Sequence, residues 1–154
     1  MTERLLKYFE SSQPSSFENT GSISAGLLPF PAAGTSLTVG QEIVLASVLL
    51  KKIKKNDRVM LNATIGWQSL TDNPSIQFRI RSGSASGPIV YSNQSSGTVP
   101  AAAPLNRIYT ASVCHVETGV SGKILYVLTG TLLIAGANYV GPINFNGSVI
   151  DENP

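Results

Sequence analysis

Between Asp57 and Gln68 the chain reads DRVMLNATIGWQ, in which Val59, Leu61, Ala63, Ile65 and Trp67 alternate with Arg58, Met60, Asn62, Thr64 and Gly66. A period of two sends alternate side chains to opposite faces of an extended strand, so the larger apolar groups share one face. SIQFRIRS repeats the pattern, with Ile76, Phe78 and Ile80 on one side and Gln77, Arg79 and Arg81 on the other. Turn-forming stretches follow: SGSASGP, then NQSSG, then VPAAAP. No apolar periodicity of helical length appears after residue 35. The pattern predicts an all-β chain of about eight short antiparallel strands, arranged as a sandwich.

Three segments depart from clean alternation. EIVLASVLL (42–50), KILYVLTGTLLI (123–134) and part of ANYVGPINF (137–145) are apolar on both faces. In a sandwich one face of a strand packs on the opposite sheet, and a second apolar face needs another cover. Another copy of the chain is the expected cover, which makes Val44, Leu45, Val48, Tyr126, Leu128 and Tyr139 the candidate interface of a symmetric homo-oligomer. The alternatives are a tightly closed barrel, or loops that lie across the face.

The front of the chain has a different character. MTERLLKYFESSQPSSFENTG crowds Leu5, Leu6, Tyr8 and Phe9 into five positions and then turns Ser-rich, with Pro14 and Gly21. The division expected is an N-terminal arm and flexible linker over 1–22 and a β domain over 23–154. GSISAGLLPFPAAG is too punctuated for a helix and too apolar for a free linker, and is expected as an irregular edge strand. A segment as short as the arm is marginal on its own in water. Burying its four bulky side chains in a neighbour would contribute roughly 1.5–3 kcal/mol each before ordering costs. The linker of about 12 residues reaches roughly 20 Å, enough to cross to an adjacent subunit. Insertion into a neighbouring copy or a surface anchor protein is therefore the expectation, with folding back onto its own domain as the plainer reading.

Composition changes the picture in one way. Charged residues make up 13% of the chain and hydrophobic residues 42%, against roughly 25% charged in an average soluble domain. Surface poor in charge is neutral-polar or apolar, and apolar surface usually has a partner. The net charge of +2 is too small to imply a nucleic-acid or membrane target by bulk electrostatics. No apolar run approaches the ~18–20 residues of a membrane span. Residues 1–10 carry Glu3, Arg4, Lys7 and Glu10 with no apolar core behind them, so no secretory signal is read and synthesis in the cytoplasm is expected.

Candidate chemistry is sparse. The single cysteine, Cys114, is read as a small buried hydrophobe inside a strand, and it stands beside the single histidine, His115. Neighbours on a strand point to opposite faces, so a nucleophile–base pair is not expected from them. One Cys and one His without ligand spacing cannot build a tetrahedral metal shell. The carboxylates Glu42, Asp57, Asp72, Glu117, Asp151 and Glu152 are scattered. SGSASG has glycines without the Lys and helix of a phosphate loop. No enzyme activity and no cofactor are expected. The run KKIKK places Lys51, Lys52, Lys54 and Lys55 together, trimmed by Asp57. It reads as a solvated turn leaving a strand, or as a surface for anionic partners that Arg79 and Arg81 would extend.

Residues 36–150 resemble the jelly-roll heads of the tumour necrosis factor-like superfamily, which includes complement-type globular heads. The resemblance is carried by DRVMLNATIGWQ with IQFRIR, by YTASVCHVETG, by KILYVLTGTL and by the closing YVGPINFNGSVI. It is closest to bacterial versions found on spore-surface filaments and spore appendages. It implies a jelly-roll β-sandwich, compact homotrimers, a non-enzymatic structural role in a surface filament or appendage, and a final location on the spore surface. The chain lacks the Gly-X-Y repeat of spore collagen-like proteins. It also lacks the cysteine-bearing connectors of appendage subunits, since its one cysteine lies in a strand. Two other readings stay open. A glycan-binding head would use Tyr91 and Asn93. A small jelly-roll capsid protein is disfavoured by an arm in which Arg4 and Lys7 are balanced by Glu3 and Glu10.

Overall fold

The structure, a computed structural model, describes residues 5–12, 38–71, 73–97 and 107–151. It holds eight strands: β1 (Leu5–Ser12), β2 (Glu42–Ile53), β3 (Arg58–Ser69), β4 (Ser75–Ser82), β5 (Ile89–Ser96), β6 (Arg107–Glu117), β7 (Gly122–Ile134) and β8 (Ala137–Asp151). They form two four-stranded sheets, ordered β1-β8-β3-β6 and β2-β7-β4-β5, with every neighbouring pair antiparallel. No helix occurs among the described residues. The all-β sandwich predicted from alternation is the fold.

Inward-facing residues of both sheets meet in one core. Val59, Leu61, Ala63, Ile65 and Trp67 of β3 lie opposite Ile76, Phe78 and Ile80 of β4 in a single buried cluster, on the faces that their alternation assigns. Burial of each large side chain contributes about 1.5–3 kcal/mol, and dense packing makes every one of them sensitive to a change of volume. Trp67 stacks on Tyr109, with ring centroids 4.7 Å apart. Gly97 lies against this pair, and a Cβ there would fall 2.7 Å from Trp67 and 2.9 Å from Tyr109, so no larger residue fits. Gly130 serves the same purpose beside the Tyr139 hydroxyl, which occupies the space a Cβ would take.

Two sequence expectations need correction. Val44, Leu45, Val48, Tyr126, Leu128 and Tyr139 are all buried within the single chain, so they offer no surface to another copy. Five of them belong to the core between the sheets. The apolar run in β2 arises from a β-bulge: Val44 pairs with Thr129 and Ala46 with Leu128, which leaves Leu45 as the extra residue. One inserted residue flips the alternation, so a strand with a single core face reads as apolar on both. Val44 itself packs with Val127 beneath Ala85, from the turn between β4 and β5, and Leu125 adjoins them. A loop of the same chain supplies that cover.

The second correction concerns the arm. Leu5–Ser12 is a strand of the first sheet, paired with β8 from Leu5↔Asp151 to Ser12↔Phe145. The sandwich therefore includes residues assigned by sequence to a separate arm. The Ser-rich linker from residue 13 onward and the GSISAGLLPFPAAG segment lie outside the described residues.

Candidate functional site

The edge where β1 joins the sandwich is the most specific polar construction among the described residues. β1 carries a bulge between Leu6 and Tyr8, so Lys7 is the unpaired residue and its side chain is free to turn away from the ladder. Its Nζ lies 2.7 Å from Asp57 Oδ2 and 3.8 Å from Asp151 Oδ2. Asp57 is buried, and the same Oδ2 accepts the Lys54 backbone N–H at 2.7 Å, while the Asp57 N–H closes the β2–β3 turn on the Lys54 carbonyl at 2.9 Å. Burial works to raise the Asp57 pKa. The Lys7 ammonium and the Lys54 N–H outweigh it and hold the carboxyl below its ordinary value. Of the four bulky side chains in β1, only Tyr8 packs on the core, and its hydroxyl donates to Glu10 at 3.1 Å. Leu5, Leu6 and Phe9 remain 55%, 63% and 57% exposed.

A second polar cluster covers the outer face of the second sheet. Arg81 grips Glu42 with two parallel hydrogen bonds of 2.8 Å, from Nε to Oε1 and from Nη2 to Oε2. Thr129 Oγ1 donates to Oε1 at 2.5 Å, and Arg79 Nη1 approaches Oε2 at 3.4 Å. Arg79 also donates to Gln77, and Arg81 Nη1 to the Gly87 carbonyl at 2.8 Å. Burial would raise the Glu42 pKa, but the Arg81 and Thr129 hydrogen bonds and both guanidinium charges lower it instead. Arg79 and Arg81 are thus held within their own chain. They neither extend the lysine patch nor wait for acids on a neighbour, and no short-range sequence signal links them to Glu42 across β7.

Lys51, Lys52, Lys54 and Lys55 are exposed at the β2–β3 turn, as the sequence suggests. Asp57, buried against Lys7, also feels the charge of Lys54, so its trimming of the run reaches that lysine. Cys114 is exposed on the outer face of β6, contrary to its expected burial. His115 turns inward, with its ring centroid 5.6 Å from that of Tyr91, and its Nε2 is buried without a hydrogen-bond partner. The two side chains diverge, as strand geometry requires. Tyr91 is half-buried, and Asn93 is exposed on an edge strand. At the far end of β6, Tyr126 donates to Glu117; burial first, and then this carboxylate, push the phenol pKa well up.

Among the described residues, no group of three or more His, Cys, Asp or Glu is placed to hold a metal ion. No helix of the described residues is long and apolar enough to cross a membrane. The sequence matches no protein-family model and no curated protein.

Proposed function

We propose that this chain is a structural subunit that assembles with copies of itself, and that β1 is the element exchanged between neighbours. The observation that carries this reading is the way β1 is held. It sits at a sheet edge, touches the core through Tyr8 alone, and exposes Leu5, Leu6 and Phe9. Its specific anchors are the β8 ladder and the Lys7–Asp57 pair. A second copy presents an identical β8 edge and an identical Asp57, so exchange reproduces every contact and changes only the path of the tether. Residues 13–37 separate β1 from the Val39–Leu132 bridge that precedes β2, and a connection of that length is long enough for either path. At low concentration the intrachain pairing wins through its effective concentration; between neighbours already held close, exchange competes.

The interleaved order β1-β8-β3-β6 over β2-β7-β4-β5 favours reading the sandwich as a jelly roll of two Greek keys, in line with the resemblance to filament and appendage heads. The homotrimer implied by that resemblance would use the outer face of the first sheet. Met60, Asn62, Thr64, Ser112, Cys114, Val116, Asn146 and Ser148 share that face by register, and none of them is charged. A surface of this kind meets its own copy without like-charge repulsion.

The test is a cross-strand disulfide. Ser11 and Asn146 are paired across β1 and β8, so S11C and N146C in a C114S background can bridge. Light scattering, with and without residues 1–20, establishes whether the protein polymerises. Interchain bridges that appear only in the polymer support exchange. Polymers held together with intrachain bridges alone would sink it, as would a truncated form that polymerises as well as the full chain.

A further inference from the structure

One end of the sandwich gathers five lysines, of which Lys54 shares the Asp57 carboxylate with Lys7 and the others form no ion pair with a described residue. β2 and β7 pair at Leu50↔Ile124 and again at Ile53↔Gly122, so Lys51 and Lys52 together lie opposite the single residue Lys123. The extra residue is a bulge, and Lys52 adopts φ 60°, a left-handed conformation uncommon for a long side chain. Lys54 and Lys55 follow in the adjoining turn, and all five lysines are exposed. Like charges set opposite one another on paired strands repel, which an anion held between them would relieve.

The described acids at this end have partners of their own. Asp57 and Asp151 face Lys7, and Glu117 accepts from Tyr126. Among the described residues, ion pairs form at Lys7, Arg79 and Arg81, and Lys51, Lys52, Lys54, Lys55 and Lys123 stand outside these pairs. These five account for a large share of the 11 Lys and Arg in a chain of net charge +2. The small overall charge hides a concentrated one.

We propose that this end binds a linear polymer of phosphate groups. Lysines are hydrated point charges on mobile stems, suited to repeated anions without a fixed geometry. Residues 51–57 and 118–123 contain no aromatic on which a base could stack, which favours a phosphate chain over single-stranded nucleic acid. An inorganic polyphosphate and a glycerol-phosphate polymer share this chemistry. The proposal does not depend on how the subunits assemble.

The experiment titrates fluorescently labelled inorganic polyphosphate with the full-length protein at about 50 mM and about 200 mM salt. Binding is expected at the lower salt and should weaken about tenfold or more at the higher, as displaced counterions dictate. A variant with all five lysines changed to Gln should lose at least about tenfold while its thermal melt is retained. Arg107→Gln, at the opposite end, should bind as the parent does. Unlabelled poly(glycerol phosphate) separates the sources: displacement at equal phosphate concentration assigns a glycerol-phosphate polymer, and no displacement assigns the inorganic chain. Four results would overturn the idea: no binding at low salt, undiminished binding by the five-lysine variant, displacement by orthophosphate at equal phosphate concentration, or tighter binding to phosphatidylglycerol vesicles. Should the fivefold variant not fold, Lys51→Gln with Lys123→Gln is read instead, and unchanged affinity there refutes the proposal.

Discussion

The outer faces of the two sheets solve the same problem by different means. On the second sheet, Val44 and Val127 are roofed by Ala85, and the neighbouring surface is tied down by Glu42 with Arg79, Arg81 and Thr129. On the first sheet, the outward positions of β3, β6 and β8 are amides, hydroxyls, Met60, Cys114, Val116, Ile108 and Ile150, with Arg58 at one margin. One face is closed by its own charges and its own loop. The other is left neutral and without a lid among the described residues. A bidentate Arg–carboxylate pair fixes geometry, whereas a neutral face imposes no charge pairing on what meets it. The difference teaches that low charge content need not be spread evenly over a molecule.

The comparison can be broken most severely through what the faces share. Trp67→Ala removes the largest fully buried side chain of the common core and should cost about 3–5 kcal/mol in chemical denaturation. A loss under about 1 kcal/mol would mean the sheets do not depend on a single core. Glu42→Ala comes next: it strips Arg81 of its carboxylate partner and should cost roughly 2 kcal/mol in the same measurement. Its counterpart on the neutral face, Asn62→Ala, should stay within about 0.5 kcal/mol in the isolated subunit. Equal effects of these two would erase the distinction.

Acid sharpens the contrast further. Glu42 and Asp57 both have folded-state pKa values below their ordinary 4.5 and 3.8. Carboxylates of this kind add stability that is fully present above the unfolded-state pKa and is lost as pH falls through the folded one. Melting temperature should therefore hold at neutral pH and decline below about pH 4. In E42Q or D57N the decline should be shallower, because the parent's advantage has already been removed. The smallest effect is kinetic. Cys114 should react with a maleimide at close to the rate of a free thiol in the isolated subunit, and markedly more slowly in any assembly that covers the first sheet.

The sequence displayed the core well and the polar constructions poorly, for reasons visible in particular residues. β3 and β4 alternate without interruption, so their inward residues could be read directly. β2 could not, because a single bulged residue, Leu45, shifts the phase and imitates an apolar second face. Cys114 was misplaced because Val113 and Cys114 are both apolar, and only Ser112 and Ala111 reveal the parity of β6. The Lys7–Asp57 pair spans 50 positions, and Glu42 meets Arg81 across 39. Contacts between strands that are not adjacent in the chain leave no local signature. Asp57 in particular sits beside four lysines in the sequence, takes the backbone N–H of one of them and forms its ion pair with a fifth.

The pairing of β1 with β8 sets a timetable. Leu5 is synthesised 146 positions ahead of its partner Asp151, so at about 5–20 residues per second β1 waits roughly 7–30 s for its own partner. Loop closure over that separation is slow compared with the turns between later strands. For that interval β1 has no ladder within its own chain, so under the exchange proposed above a neighbour's finished β8 edge meets no intrachain competitor.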